Sequence, residues 1–215
     1  MTLKLYAHPL SSYCQKVTMA LYENDTPFDF AMLDGSEPAA STFAALAPLG
    51  KFPVLTDGER VVPESTVIIE YLDTHYPGAT RFIPADRDAA LEVRLIDRMF
   101  DNYFETPFQR IVGTAIGRDQ ADEARLRGQL DAAYHWLDGW MAGREWAAGR
   151  AFSLADCAAA PALLYADWTH AISKQHKNVW AYRDRLLARP SYARALDEAR
   201  PYRHMFPLGA PEGRD

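Results

Sequence analysis

Apolar residues alternate with others at the start of the chain, in Leu3–Ala7 (LKLYA), the period-two pattern of a short strand. The period then lengthens. From Ser11 or Ser12 to about Asn24, Val17, Ala20 and Leu21 share one helical face, and either serine suits the N-cap. FDFAML reads as a second strand, and TFAALA as a short helix or turn stopped by Pro48 and Gly50. FPVLTDGERVV reads as two strands joined at Asp57-Gly58, a hairpin signal. ESTVIIEYLDTHY reads as a helix with Val67, Ile68, Tyr71 and Leu72 inward, ended by Pro77-Gly78. The order βαβ-α-ββα is an α/β unit, and its first two strands are expected to be parallel through a right-handed crossover.

Beyond this unit the strand period disappears. A long helix is expected over about 88–113, bent at Pro107, and another over about 119–142. FSLADCAAAPALLYADWTHA predicts a buried helix starting at Ser153, followed by two short helices near 175–188 and 191–199. The expected fold class is therefore α/β plus all-α. Residues 1–79 form the first domain, 80–87 a linker and 88–215 a helical bundle.

Composition narrows the function. The 215 residues are 48% hydrophobic, enough for a sizeable core, and carry a net charge of −6. That balance gives no reason to expect nucleic acid or an anionic membrane as partner. No uninterrupted apolar run reaches the ~18–20 residues of a membrane span, and the opening residues show no export signal. Two cysteines, Cys14 and Cys157, make a disulfide scaffold improbable and suit a reducing cytoplasm. The six histidines have no metal-ligand spacing, so no metal is expected.

Four stretches carry candidate chemistry. Ser11-Ser12-Tyr13-Cys14 lies where a strand becomes a helix, so a hydroxyl there shares its place with the positive end of a helix dipole. Such a place favours an anion, including a thiolate. In LGKFPVL (49–55), Pro53 interrupts a strand, where it cannot donate a ladder hydrogen bond. In PESTVIIEYLD (63–73), Ser65 opens a helix whose free N–H groups suit a carboxylate, and Glu64 supplies a charge for an ammonium. Ser153-Leu154-Ala155-Asp156 has the S-x-x-D form of a capping box, with Phe152 as a staple; its role is read as structural.

In this order and spacing the four stretches, which span the whole chain, resemble the cytosolic glutathione transferase family with a serine-type, bacterial-like active site. The resemblance implies a thioredoxin-like first domain that binds glutathione and a helical second domain that forms an electrophile pocket. The implied reaction is attack of the glutathione thiolate on a hydrophobic electrophile, as in detoxification. A glutathione-dependent isomerase, dehalogenase or peroxidase on the same fold, and a non-catalytic interaction protein, are the alternatives. Glutathione enters as co-substrate, with no bound cofactor.

Residue by residue, the resemblance implies Ser11 or Ser12 as donor to the thiolate. Counting back from QKV places Ser11 at the family's catalytic serine or cysteine. Tyr6 is a further candidate, while Cys14 reads as a small buried residue. A cis Phe52–Pro53 bond would turn the backbone of Val54 toward the tripeptide, and Lys51 would reach its glycine carboxylate. Glu64 and Ser65 would hold the γ-glutamyl end. Asp101 would reach that end across a homodimer. Tyr103, Phe104, Arg110 and Trp168 would line the electrophile pocket. Opposite charges on two helices, Glu70, Asp73 and His75 against Arg87, Arg94 and Arg98, would face each other across the dimer axis.

Overall fold

The computed structural model describes residues 3–214. Strand β1 (Leu3–Ala7) leads to helix α1 (Ser12–Glu23), β2 (Phe28–Met32), α2 (Ala39–Leu46), β3 (Val54–Asp57), β4 (Arg60–Pro63) and α3 (Ser65–His75). The sheet order is β2-β1-β3-β4. β1 pairs parallel with β2, in register Leu5↔Phe30, and antiparallel with β3, in register Leu5↔Leu55. The alternation in β1 decides its faces. Leu3, Leu5 and Ala7 enter the main core, while Tyr6 joins Ala47 and Val54 on the opposite face, under α2.

The rest is helical: α4 (Arg87–Phe100), a π turn (Asp101–Glu105), α5 (Thr106–Ala115), α6 (Glu123–Trp140), α7 (Leu154–Thr169), α8 (Lys177–Leu187), α9 (Pro190–Ala199) and a 3-10 turn (Arg200–Met205). Every residue of α7 is buried. Helix α1 packs against both α7 and α9, so its N-terminus is held between the sheet and the helical unit. Each fully buried aliphatic side chain at this junction contributes about 1.5–3 kcal/mol.

Three local expectations are corrected. The irregularity in the long helix is the π turn at 101–105, just ahead of Pro107. A proline lacks the N–H and its ring crowds the carbonyl four residues back, and a widened turn accommodates both. In α3 the inward stripe is Ser65, Ile68, Ile69 and Leu72, at i, i+3, i+4 and i+7. Val67 falls off that stripe and is 52% exposed. The charges of α3 and α4 meet within one chain. Arg94 holds Glu70 with two bonds of 2.8 Å, Arg81 and the Phe82 N–H bind Asp73, and Arg98 engages Asp97. The two helices are neighbours in one chain, so these charges are already paired and do not need a second subunit.

Candidate active site

The turn after β1 presents the first hydroxyls. Ser11 is extended (φ −81°, ψ 126°) and is the N-cap of α1; its Oγ accepts the Cys14 N–H at 3.4 Å. With Oγ serving as acceptor toward the helix, its own proton is directed away from the helix end. Ser12, one residue on, is 6% exposed and donates its hydroxyl to Glu105 at 2.8 Å, so its proton is committed to the interior. Cys14 is fully buried, and burial pushes its thiol up to about 12, an inert state. Tyr6 lies on the far face of the sheet. Of the hydroxyls considered from sequence, Ser11, Ser12 and Tyr13 line the clefts, and the Ser12 hydroxyl is the one already given to Glu105.

One cavity, of about 470 Å³, is lined by Tyr13, Lys51, Phe52, Pro53, Glu64, Ser65, Asp101 and Gln109, among others. Ser65 is the first residue of α3, so the free N–H groups of that helix open on the cavity. Glu64 ahead of it has φ 70°, ψ 118°, a conformation that costs a non-glycine residue energy and clusters at functional sites. The Phe52–Pro53 bond is cis. Val54 departs from expectation. It is 1% exposed, lies in the strand between β1 and β4, and is absent from the cavity wall. Its backbone faces neighbouring strands. Phe52, which is outside the sheet, presents the open backbone.

Asp101 is on the same wall, but its carboxylate is already engaged. Lys16 reaches both of its oxygens at 3.2 Å and also pairs with Asp97 at 2.5 Å. Arg98 binds Asp101 too, and the Thr66 hydroxyl donates to Asp97 at 2.9 Å. This network ties α1 and α3 to α4 beneath the cavity. Asp101 therefore has a local role that the sequence did not show.

A second cavity, of about 480 Å³, adjoins the first, because Tyr13, Lys51, Phe52 and Gln109 line both. Ser11 and Ser12 are on its wall, with Leu10, Phe108, Val112, Ile116, Tyr165, Phe206 and Pro207. Tyr165 stacks on Phe108 with ring centroids 5.9 Å apart and packs on Phe206 at 5.8 Å. Its hydroxyl donates to the Leu10 carbonyl at 2.7 Å, which steadies the turn leading to Ser11.

The four residues expected at the electrophile wall do not line one cavity. Phe104 is fully buried between Phe100 and Tyr134. Trp168 is 7% exposed, donates its indole N–H to the Arg214 carbonyl and packs behind Tyr165 and Phe206. Tyr103 and Arg110 line a different cavity, of about 440 Å³, against α6. Phe104, next to Tyr103, faces the core instead, and Trp168 belongs to α7, so the four are dispersed. The side chains that do share a wall, Phe108 and Val112, are one turn apart in α5. The remainder come from α7 and the C-terminal tail, which no local pattern connects to Ser11.

Glu105 also went unnoticed in the sequence. It is 2% exposed, receives Ser12 and Gln109 at 2.8 and 2.9 Å, and burial pushes its carboxyl up to about 8. Among the described residues no cluster suited to a metal ion is found.

Comparison with known proteins agrees with this geometry. Residues 5–80 match the family described as glutathione S-transferase, N-terminal domain, and residues 99–190 the family described as glutathione S-transferase, C-terminal domain. The chain is 30% identical over 208 residues to glutathione S-transferase 3 of Zea mays, covering 90% of this chain and 93% of that protein. A solved glutathione S-transferase of Methylobacillus flagellatus KT with glutathione bound is 25% identical, with a TM-score of 0.79 over 90% of this chain and 98% of the other. A delta-class glutathione transferase of Nilaparvata lugens, at 23% identity, has the same fold, with a TM-score of 0.84 over 95% and 98%.

Proposed function

The chain belongs to the glutathione S-transferase family, and we infer that it is a glutathione transferase that binds the tripeptide in the first cavity and directs its sulfur at a hydrophobic electrophile in the second. The observation that carries this reading is the position of Ser11. It caps α1 with its Oγ and lines the cavity that adjoins the open N-terminus of α3.

The chemistry follows from charge. A free thiol titrates near ~8.5, so little thiolate is present at neutral pH. A hydrogen bond to a charged group contributes about 1.5–3 kcal/mol and a helix end about 0.3–1 kcal/mol. Together they supply roughly two pKa units at ~1.36 kcal/mol each. Ser11 donates that bond to the sulfur, and α1 supplies the dipole. The thiolate then attacks the electrophilic carbon, and the leaving group departs with its electron pair. Where the electrophile is an activated double bond, the sulfur adds instead.

The remaining assignments concern the tripeptide. The N–H groups at Ser65 receive its γ-glutamyl carboxylate, and Glu64 faces the ammonium. The Phe52 backbone pairs with the peptide unit by strand addition, and Lys51 meets the glycine carboxylate. Asp101 acts through Lys16 and Arg98 of its own chain.

The reading extends to a cytoplasmic detoxifying enzyme, supported by two buried free cysteines. It also extends to a homodimer. Val67, Leu91 and Leu95 are 52, 66 and 54% exposed on α3 and α4, an apolar set suited to a partner subunit. The test is retention on immobilised glutathione together with conjugation of 1-chloro-2,4-dinitrobenzene. The expected result is retention and turnover, with Ser11→Ala retained but slowed at least tenfold. A native chain that is neither retained nor active would overturn the reading.

A further inference from the structure

The second cavity has a charge character opposite to that of the whole chain. The protein carries a net −6, with 29 acidic against 23 basic side chains. Yet the cavity wall contains Lys51 and Arg118 and no aspartate or glutamate. Its remaining wall is mostly apolar and aromatic, built by Phe108, Ile116, Tyr165 and Phe206.

Arg118 is placed there by its backbone. Gly117 has φ +71°, and the Arg118 N–H donates to the Gly113 carbonyl at 2.8 Å, closing the turn that ends α5. The acid next to it cannot neutralise it. Asp119 is held by Arg110 through bonds of 2.9 and 3.3 Å, and Arg110 lines the other cavity, against α6. Of the two arginines, Arg110 within α5 has its charge met, and Arg118 just beyond the helix does not. Among the described residues the Arg118 guanidinium has no ion-pair partner. The buried acid behind this wall, Glu105, is occupied by Ser12 and Gln109, and burial favours its neutral form.

We propose that the second cavity takes electrophiles with an aromatic or apolar body and a carboxylate or similar anionic group, and that Arg118 at its mouth holds that group. The inference rests on the transferase reading and adds the substrate class. The body fills the space between Phe108, Tyr165 and Phe206, and the anion turns outward to the guanidinium, a fork that matches a carboxylate. Lys51, on the boundary with the first cavity, is taken by the glycine carboxylate of glutathione in this reading, which leaves the electrophile's anion to Arg118. The site selects through charge: apolar walls alone favour the neutral ester over the carboxylate, so acceptance of the anion depends on the guanidinium.

A matched pair of substrates tests this. 4-Chloro-3-nitrobenzoate and its methyl ester differ in the anion and share the reacting carbon. In each, the glutathione sulfur bonds to the carbon bearing chlorine, and chloride leaves with the electron pair. The quantity to measure is the ratio of kcat/KM, carboxylate over ester, at low ionic strength. Arg118→Ala is expected to lower that ratio about tenfold, Arg118→Glu to lower it further, and Arg118→Lys to restore part of it. An equal ratio in the native chain, Arg118→Ala and Arg118→Glu would overturn the proposal. Calorimetric titration with 3-nitrobenzoate separates the two levels of inference. Binding weakened at least fivefold by Arg118→Ala, with no turnover of either chloride, would support the anion subsite while removing the transferase reading. Turnover of both chlorides, with nitrobenzoate binding untouched in both variants, would remove the subsite alone.

Discussion

Replacing Asp156 by alanine is expected to destabilise the protein by about 4 kcal/mol, well beyond the loss of a helix cap. The S-x-x-D pattern alone implies a cap worth about 0.5–2 kcal/mol. The structure adds two partners. The Asp156 carboxylate accepts the Ser153 N–H at 2.9 Å and the Ser153 hydroxyl at 3.1 Å on one oxygen. On the other oxygen it accepts the Ala147 N–H at 2.8 Å and the Tyr182 hydroxyl at 2.7 Å. One carboxylate thus joins the N-terminus of α7, the loop before it and α8. Truncation strands two buried N–H groups that cannot rotate, at about 1–3 kcal/mol each, and loosens two hydroxyls. Asp156→Asn should rescue little, because either orientation of the amide points an NH₂ at a backbone donor. The assay is urea denaturation followed by fluorescence of the five tryptophans, at one protein concentration because an oligomer's stability depends on it. Ser153→Ala and Tyr182→Phe are the controls, each expected to cost about 1 kcal/mol. If Asp156→Ala falls within about 1 kcal/mol of Ser153→Ala, the reasoning fails.

Glu105 provides a pH test. Its carboxyl is raised from an ordinary 4.5 to about 8 by burial, with Ser12 and Gln109 opposing and Asp101 adding. A raised folded-state value means that its stabilisation is complete below about pH 4.5 and is lost as pH rises through about 8. The window corresponds to an order of 4 kcal/mol, so Glu105→Gln should flatten the change in urea midpoint between about pH 5 and 8; an unchanged slope contradicts this. Lys16 is 1% exposed between Asp97 and Asp101, and Lys16→Met should cost about 3–5 kcal/mol in the same denaturation experiment. A loss under about 1 kcal/mol would mean that Arg98 alone holds both acids. In sedimentation equilibrium the native chain should run at twice its 24.2 kDa mass, and Leu91→Glu with Leu95→Glu at the single mass; a native monomer defeats the dimer.

The sequence revealed whatever rests on local periodicity or on local chemistry. The alternation of Leu3–Ala7 sorted the strand's faces, and Asp57-Gly58 marked the β3–β4 hairpin. Ser65 at the start of α3 was legible because a helix N-terminus announces itself in a few residues. The fates of Ser11 and Ser12 were not. They differ because Glu105, 93 positions away, takes one hydroxyl. The aromatic wall of the second cavity was not legible for the same reason. Phe108, Tyr165 and Phe206 converge from α5, α7 and the tail, whereas the resemblance pointed to Tyr103 and Phe104, which lie against α6 and in the core. The charge pairs of α3 and α4 were recognised as a set but placed across an axis; which surfaces meet is a property of packing, and Glu70–Arg94 closed within the chain. At the cis Phe52–Pro53 bond the motif was read correctly and the open backbone was assigned two residues too late, because β3 begins at Val54.

The central claim is that Ser11 favours the thiolate of bound glutathione. It is tested most directly by titrating that thiolate itself, through its ultraviolet difference spectrum in the binary complex. The native protein is expected to lower the thiol's apparent pKa by roughly two units from the ~8.5 of a free thiol, and Ser11→Ala to return at least one of them, with glutathione affinity changed by only a few-fold. An identical titration curve in the native protein and Ser11→Ala would contradict the claim and transfer the role to another donor at this cleft.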